Sequence, residues 1–216
     1  MIFKLMRLYT TQLKTPLGIM LAVADEQHLL FLDFVNREMI MRWNQKMTGS
    51  GNSLGIWEVE EDRWDHDAPA TLLRDEPFSF LKFERKIKKI LHEYSSKLQP
   101  GTSAPLESIE QELEAYFSGR FDFFKTPYRL LGSTFQQAVW KMLLKIPYAA
   151  TQSYTEEAAA LGNPTAVRAV ANANGANFLA IVIPCHRVIA SGGKLGGYGS
   201  GLRRKEWLLE HEKKNL

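Results

Sequence analysis

The sequence of 216 residues is long enough to bury a full hydrophobic core, in one large domain or in two modest ones. Its composition, 45% apolar and 24% charged, is typical of a water-soluble globular protein. The single cysteine, Cys185, excludes an intramolecular disulfide and a multi-cysteine zinc site, and an unpaired thiol fits a reducing compartment. The apolar run 17–23 is too short to span a membrane. We therefore expect an intracellular protein, cytoplasmic or, in a eukaryote, nuclear, with no membrane partner.

The net charge of +3 conceals an uneven distribution along the chain. Residues 1–130 carry 17 Lys/Arg against 19 Asp/Glu, whereas residues 131–216 carry 10 against 5. A cationic excess in the second half suits an anionic partner such as nucleic acid. A solvated basic face without any partner accounts for the charge equally well. Because the balance changes sign there, we place a domain boundary between residues 1–130 and 131–216.

The first part of the chain is predicted to be an α/β domain. Three short strands over 8–13, 17–23 and 29–34, separated by turn-forming residues, predict a small antiparallel sheet. Residues 48–77 lack a sustained period and are predicted to be mostly loop. Apolar residues at helical spacing then predict a helix from Ser79 and a second one that ends near Gly119. This domain thus contains a long loop and helical insertion.

The second part is predicted to be mostly α-helical. Ser133 and Gln136 have the spacing of a capping box, which begins a helix that Pro147 stops. A helix over 154–161, a Gly-Asn-Pro break and a helix over 165–173 follow. Two short helices around a tight turn are typical of a helix-turn-helix, which is a common DNA-binding motif.

The second helix of this pair is rich in alanine. A helix with side chains is about 10–12 Å across, and a minor groove is only about 6 Å wide. Small side chains would let this helix approach a DNA backbone or a widened minor groove, with Arg168 as its only long cation. A small-residue helix packed against a neighbour in the core explains the composition equally well, and both interpretations remain open.

Cys185 is followed directly by His186. A cysteine attacks as its thiolate, and a nearby proton acceptor brings that form within reach at neutral pH. Neighbouring side chains on a strand point apart, but Pro184 fixes its own φ and predicts a turn at this point. Cys185 is therefore a candidate nucleophile, while a lone cysteine after an apolar run is also commonly an inert core residue.

With these elements in order, the chain resembles the O6-alkylguanine-DNA alkyltransferases, also called methylated-DNA–protein-cysteine methyltransferases. The resemblance covers about residues 131–214, and the Pro-Cys-His-Arg-Val box is highly specific to the family. Residues 1–130 match only in outline, as the smaller α/β domain with a ribonuclease-H-like sheet, and the segment 40–105 is longer than usual. The matching residues are Phe135-Gln136, Val139-Trp140, Ser153-Tyr154, Gly162-Asn163-Pro164, Arg168-Ala169-Val170, Asn177, Pro184 to Val188, Gly197-Tyr198 and Lys205 to Leu209 with Glu212.

The resemblance implies a DNA repair enzyme that needs no cofactor or metal. Cys185 would accept the alkyl group from O6 of guanine, or from O4 of thymine, in a direct displacement. His186 would take the thiol proton through a water molecule, and Glu212 would orient His186. Asn177 would brace the loop behind the cysteine, and Lys205 would assist. The thioether cannot be hydrolysed, so one protein molecule would be consumed for each lesion.

The implied partner is double-stranded DNA carrying O6-alkylguanine, bound by a monomer. The damaged nucleotide must rotate out of the stack, and Arg168 would fill the vacated place. Tyr154 would crowd a phosphate or protonate the departing guanine. The residues expected to contact DNA are Tyr154, Thr165, Ala166, Arg168 and Ala169. Those expected to line the base pocket are Val188, Tyr198, Gly199 and Ser200.

Two sequence departures and two rival functions accompany this interpretation. Phe178 stands where the family usually has proline, and Ser200 stands where several members have glycine. A non-catalytic damage sensor or a DNA-binding regulator is the main alternative, although related sensors lack the cysteine and alanines do not read base edges. A Cys-His hydrolase would require an oxyanion site, for which no residues were identified.

Overall fold

A computed structural model of the protein describes residues 7–48, 80–121 and 123–216. The chain divides into two compact units, one that ends at Arg129 and one that begins at Leu130. The assignment of each unit as an independent domain stays a prediction. The loop predicted over residues 48–77 lies outside the described residues from position 49 onward. Within the described ranges, no helix has both the length and the apolar character needed to cross a bilayer.

The first unit contains a four-stranded sheet in the order β3-β2-β1-β4. The three predicted strands are confirmed and pair in antiparallel fashion. The prediction of a purely antiparallel sheet is wrong, because β4 pairs with β1 in parallel. This fourth strand is only three residues long, too short to show an alternating pattern in the sequence. The strands are β1 (Leu8–Thr15), β2 (Gly18–Ala24), β3 (Leu29–Phe34) and β4 (Leu98–Pro100).

Three helices accompany this sheet: α1 (Arg37–Thr48), α2 (Phe80–Tyr94) and α3 (Ala104–Phe117). The two helices predicted from apolar periodicity, α2 and α3, are confirmed, and both bury the predicted apolar face. Helix α1 was not predicted. Its signal is Asn36, whose side-chain oxygen accepts a 2.9 Å hydrogen bond from the backbone of Met39 and so caps the helix.

The second unit carries four helices, a short 3-10 helix and a two-stranded parallel pair in the residues that the structure describes. The predicted capping box of α4 is confirmed, since Ser133 and Gln136 each bond the other's backbone. The helix predicted over 165–173 begins two residues later, because Thr165 and Ala166 form the turn before it. The elements are α4 (Thr134–Leu143), β5 (Gln152–Ser153), α5 (Tyr154–Ala160), α6 (Val167–Gly175), the 3-10 helix (Cys185–Arg187), β6 (Val188–Ile189) and α7 (Leu202–Lys214).

Trp140 connects α4 to the end of α6. Its indole Nε1 donates a 2.9 Å hydrogen bond to the carbonyl of Ala173, and its ring lies 6.1 Å from the ring of Phe178. Phe178 is therefore a packing partner of this tryptophan. Because both rings are buried, they fix the start of the apolar segment that leads to Cys185.

Gly132 is expected to be intolerant of any side chain. A Cβ atom at this position would lie 2.5 Å from the ring of Trp140, so the tryptophan would have to move. We predict that Gly132→Ala lowers the free energy of unfolding by about 1–3 kcal/mol, measured by chemical denaturation. Gly175→Ala is the matched control, because a Cβ there meets no atom within 4 Å. Equal stability of the two variants would contradict this prediction.

Candidate active site

The segment before Cys185 folds into a tight, buried turn. Residues 178–183 are all buried, and Ile181 has a positive φ of 70°. The backbone N–H of Cys185 donates a 2.8 Å hydrogen bond to the carbonyl of Ile183, and the 3-10 helix begins directly after Pro184. The turn predicted from Pro184 is confirmed. Cys185 is 8% exposed, so its side chain lies at the boundary of the core.

Asn177 braces this turn at both ends. Its Nδ2 donates hydrogen bonds to the carbonyls of Ile183 (2.9 Å) and Leu179 (3.2 Å), and its Oδ1 accepts one from the backbone of Leu179. The same Nδ2 lies 3.3 Å from Sγ of Cys185. An N–H donor directed at sulfur favours the thiolate. The amide therefore both shapes the turn and faces the reactive atom.

His186 is fully buried and forms a short hydrogen bond with Glu212. Its Nε2 lies 2.7 Å from Oε1 of the glutamate. An ionised carboxylate only accepts hydrogen bonds, so Nε2 carries the ring proton and Nδ1 carries the lone pair. Nδ1 is buried and has no protein partner in the described part of the chain. The imidazole therefore offers one free basic nitrogen.

Arg187 supplies the positive charge that Glu212 requires. Its Nε donates to Oε2 at 2.8 Å and its Nη2 donates to Oε1 at 3.0 Å, in a two-pronged pair. The carboxylate also accepts a 3.0 Å hydrogen bond from the backbone N–H of Ala149. Ala149 has a positive φ of 59°, a left-handed conformation that costs about 1–2 kcal/mol for a residue with a Cβ.

These contacts determine which groups are charged. Burial disfavours the ionised form of Glu212, but hydrogen bonds from His186 and Arg187 outweigh burial and hold its pKa below the ordinary value. Burial lowers the pKa of His186, against the opposing effect of Glu212, and the charge of Arg187 lowers it further. At neutral pH, His186 is thus a neutral imidazole hydrogen-bonded to an ionised carboxylate.

Lys205 is fully buried. Its Nζ donates to the carbonyls of Val188, Leu195 and Gly197. Burial lowers its pKa to about 8, although the nearby Cys185 favours the charged form. Three carbonyl acceptors satisfy the ammonium group and hold residues 195–197 against β6.

Tyr154 lies close to Lys205 and within electrostatic reach of Cys185. Its hydroxyl donates a 3.0 Å hydrogen bond to the carbonyl of Gly197, and Nζ of Lys205 lies 5.7 Å from its ring centre. Burial raises the pKa of Tyr154 to about 12, and the proximity of Cys185 contributes in the same direction. The phenol is therefore a neutral donor near the sulfur.

The predicted base-pocket residues fall into two groups. Val188 and Ser200 are buried, and each uses its backbone carbonyl to accept a hydrogen bond, Val188 from Lys205 and Ser200 from Arg204. Gly199 is exposed, and Tyr198 is half-buried. The segment 198–199 thus presents backbone atoms and one aromatic ring to solvent. The carbonyls of Val188 and Ser200 are held by hydrogen bonds from the buried side chains of Lys205 and Arg204.

The predicted DNA-contacting residues are at least partly accessible to solvent, and Tyr154 among them is half-buried. Thr165, Arg168 and Ala169 are exposed, and Ala166 is half-buried. The opposite face of α6 buries Val170, Ala173 and Asn174. The alanine-rich helix therefore has both a packed face and a solvent-exposed face. Core packing explains its small residues on the first face, and close approach to DNA stays a prediction for the second.

Three groups that the structure shows to be buried or hydrogen-bonded in the second unit had no predicted role. Arg187 belongs to the Pro-Cys-His-Arg-Val box, but no partner was predicted for it. Its position directly after His186 was the sequence feature that could have indicated a role. The backbone N–H of Ala149 has no sequence signal. Glu157 is buried on α5. In the sequence it directly follows another glutamate, so both residues look like ordinary solvent-exposed charges.

Residues 134–214 match the family model described as 6-O-methylguanine DNA methyltransferase, DNA binding domain. The chain is 45% identical, over 61% of its length and 85% of the relative, to a probable methylated-DNA–protein-cysteine methyltransferase of Acanthamoeba polyphaga mimivirus. It is 53% identical, over 49% of its length and 67% of the relative, to a methylated-DNA–protein-cysteine methyltransferase of Methanosarcina barkeri. The crystal structure of Mycobacterium tuberculosis OGT in complex with DNA is similar with a TM-score of 0.64 and 30% identity, covering 97% of this chain and 94% of that one.

The fold of the second unit and the buried His186–Glu212–Arg187 cluster directly after Cys185 define a protein with a candidate cysteine nucleophile. Taken with these similarities, they show that the chain belongs to the methylated-DNA–protein-cysteine methyltransferase family.

Proposed function

We propose that this protein repairs alkylated double-stranded DNA by transferring the alkyl group from O6 of guanine, and from O4 of thymine, to its own Cys185. The observation that carries the proposal is a cysteine whose Sγ lies 3.3 Å from Nδ2 of Asn177 and which directly precedes His186, whose Nε2 lies 2.7 Å from Oε1 of Glu212. It provides a nucleophile, a base and a group that orients the base, in adjacent positions. The relatives named for transfer of methyl groups from DNA to cysteine support the same reaction.

The proton leaves the thiol toward Nδ1 of His186, through an intervening water molecule. Glu212 holds Nε2–H and stabilises the imidazolium as it forms. The thiolate then attacks the alkyl carbon, so an S–C bond forms while the C–O6 bond breaks. The guanine keeps the bonding pair and is neutralised by a proton, for which the hydroxyl of Tyr154 is our candidate donor. The thioether has no route to hydrolysis, so each molecule acts once.

DNA binding is proposed to use the exposed side of α5 and α6 as a helix-turn-helix in the minor groove. The alkylated base must leave the stack to reach a sulfur that is only 8% exposed. The loop of Tyr198 and Gly199 would receive it, and Arg168 would occupy its former place. Contacts to phosphates carry no sequence information, which suits lesions that occur anywhere.

Intact-mass measurement tests the proposal directly. The protein is incubated with a duplex that contains one O6-methylguanine and, separately, with the unmodified duplex. We expect one added methyl group per protein, located on Cys185 by peptide mapping, and only with the modified duplex. Absence of the adduct at excess DNA would overturn the proposal.

The same experiment separates the rival functions. A damage sensor or regulator would bind the modified duplex without gaining mass. A Cys-His hydrolase would yield more than one product molecule per protein, whereas we expect the yield to stop at one. Titration of duplex against a fixed amount of protein therefore distinguishes the three possibilities.

Arg168→Ala is expected to weaken capture of the damaged base. The side chain is exposed on α6, so its loss leaves the fold intact while the vacated place in the stack stays empty. We predict a decrease of about tenfold or more in the second-order rate constant for transfer, measured with limiting DNA. Lys213→Ala, which removes an exposed positive charge from α7, is the control. Equal rate constants for the two variants would contradict a specific role of Arg168.

A further inference from the structure

Glu157 is completely buried in the first turn of α5, at 0% exposure. The preceding residue, Glu156, is exposed and bonds the backbone of Ser153 in a capping box. Buried carboxylates are rarely found without a cation or several donors. No ion pair to Glu157 occurs among the described residues, so its burial requires another explanation.

The partner of Glu157 is Asn174 on α6. The amide Nδ2 donates a 2.7 Å hydrogen bond to Oε2 of the glutamate, and Asn174 is only 4% exposed. The two remaining oxygens, Oε1 of Glu157 and Oδ1 of Asn174, are both buried, and neither has a hydrogen-bond donor in the described part of the chain. A single proton on the carboxyl group turns one of these acceptors into a donor for the other.

The surroundings of Glu157 favour that proton. Burial raises the pKa of Glu157 from 4.5 to about 7, although the hydrogen bond from Asn174 lowers it. Helix α4 contributes buried apolar side chains, and its Lys141 is exposed. Strand β5 has no charged residue, and the cation of α6, Arg168, is exposed. On α5 itself, Glu156 is exposed, and Tyr154 is a neutral phenol whose pKa burial raises and the charge of Glu157 helps to raise.

We propose that Glu157 is a positioning residue that works as a neutral carboxylic acid, donating from Oε1 to Oδ1 of Asn174 while Nδ2 of Asn174 donates to Oε2. This two-way pair fastens α5 to α6. Helix α5 begins at Tyr154 and α6 carries Arg168, so the pair sets the spacing of the two side chains that meet the flipped nucleotide. The functional part of this inference rests on the proposed repair activity.

Ionisation of Glu157 would break the pair. The carboxylate has no proton to donate, so Oε1 of Glu157 and Oδ1 of Asn174 would both remain buried acceptors without a donor in the described part of the chain. The attachment of α5 to α6 is therefore strongest below about pH 7 and weakens above it. Because the unfolded carboxyl group loses its proton near its ordinary value of 4.5, folding takes up a proton between these two limits. The wild type loses stability as the pH rises through this window.

Glu157→Gln separates charge from shape. A glutamine amide makes the same two-way pattern with Asn174 and does not titrate. The thermal midpoints of wild type and E157Q should be close at about pH 4.5. Above about pH 7, the midpoint of E157Q should be higher than that of the wild type by about 5 °C or more. Glu156→Gln is the matched control and should follow the wild type, because Gln can also serve in a capping box. A difference between E157Q and wild type that does not change with pH overturns the proposal.

Transfer kinetics test the positioning role. The second-order rate constant for methyl transfer to Cys185 is measured from about pH 6 to about pH 8.5 in wild type and in E157Q. Titrations common to both proteins cancel in their ratio, which should change by about threefold or more in favour of E157Q as the pH rises. A constant ratio overturns the positioning role while the repair function stands. If the wild type transfers no methyl group at any pH, the repair function fails, and the thermal comparison still decides whether Glu157 is neutral.

Discussion

Cys185→Ser is expected to abolish alkyl transfer while leaving DNA binding almost unchanged. A serine hydroxyl is hardly ionised at neutral pH, and the neutral imidazole of His186 is too weak a base to compensate. The loss in rate should be on the order of 10⁴-fold or more, as for removal of other enzymatic nucleophiles. The side chain is small and 8% exposed, so the substitution changes neither the turn nor the surface. Mass spectrometry over a long incubation measures the residual transfer.

Two observations complete this test. Affinity for a methylguanine duplex, measured by fluorescence anisotropy at one fixed salt concentration, should agree with that of the wild type within about twofold. Cys185→Ala should behave in the same way, because neither variant has a thiol. A methyl adduct that forms at the normal rate on either variant would mean that another residue is the nucleophile.

Glu212→Gln is expected to damage both stability and reactivity. The substitution leaves Arg187, with a side chain that is only 10% exposed, without its anionic partner. Removing one member of a buried ion pair typically costs about 3–5 kcal/mol. The new amide can also present its N–H₂ to Nε2–H of His186, which disfavours the tautomer with a basic Nδ1. We expect the transfer rate to fall by about 10²–10³-fold.

Rate and stability must be separated in this variant. Transfer is measured at a temperature where circular dichroism shows E212Q to be fully folded, and unfolding is measured separately in urea. Glu210→Gln is the matched control, because Glu210 is an exposed carboxylate on the same helix, α7. If E212Q and E210Q transferred methyl groups at equal rates, Glu212 would have no role in orienting the histidine.

The secondary structure was predictable where a local pattern determines it. Helices α2 and α3 follow from apolar spacing, and α4 follows from its capping box. The parallel strand β4 was not predictable, since its three residues depend on pairing with β1, about 90 positions away in the sequence. Local propensity contains no information on such a partner.

The candidate site was predictable only in part, because some of its contacts join residues that are far apart in the sequence. Cys185 and His186 are adjacent, and their box is specific to the family, so the candidate nucleophile and the candidate base could be named from the sequence. The pairing of Arg187 with Glu212 joins residues 25 positions apart, and the resemblance gave no role to the arginine. Glu157 was missed because its burial depends on the packing of α5 against α6, which only the folded chain defines.

The short pair of strands β5 and β6 has a consequence for engineering this family. Gln152 pairs with Val188 and Ser153 with Ile189, so the residue before Tyr154 is joined to the segment that directly follows the 3-10 helix of Cys185. We therefore expect that a displacement of the start of α5 would also shift the segment that carries Cys185. Substitutions in β5 or β6 should therefore change the affinity for DNA and the rate of alkyl transfer together. Changing one of these properties alone will need substitutions elsewhere.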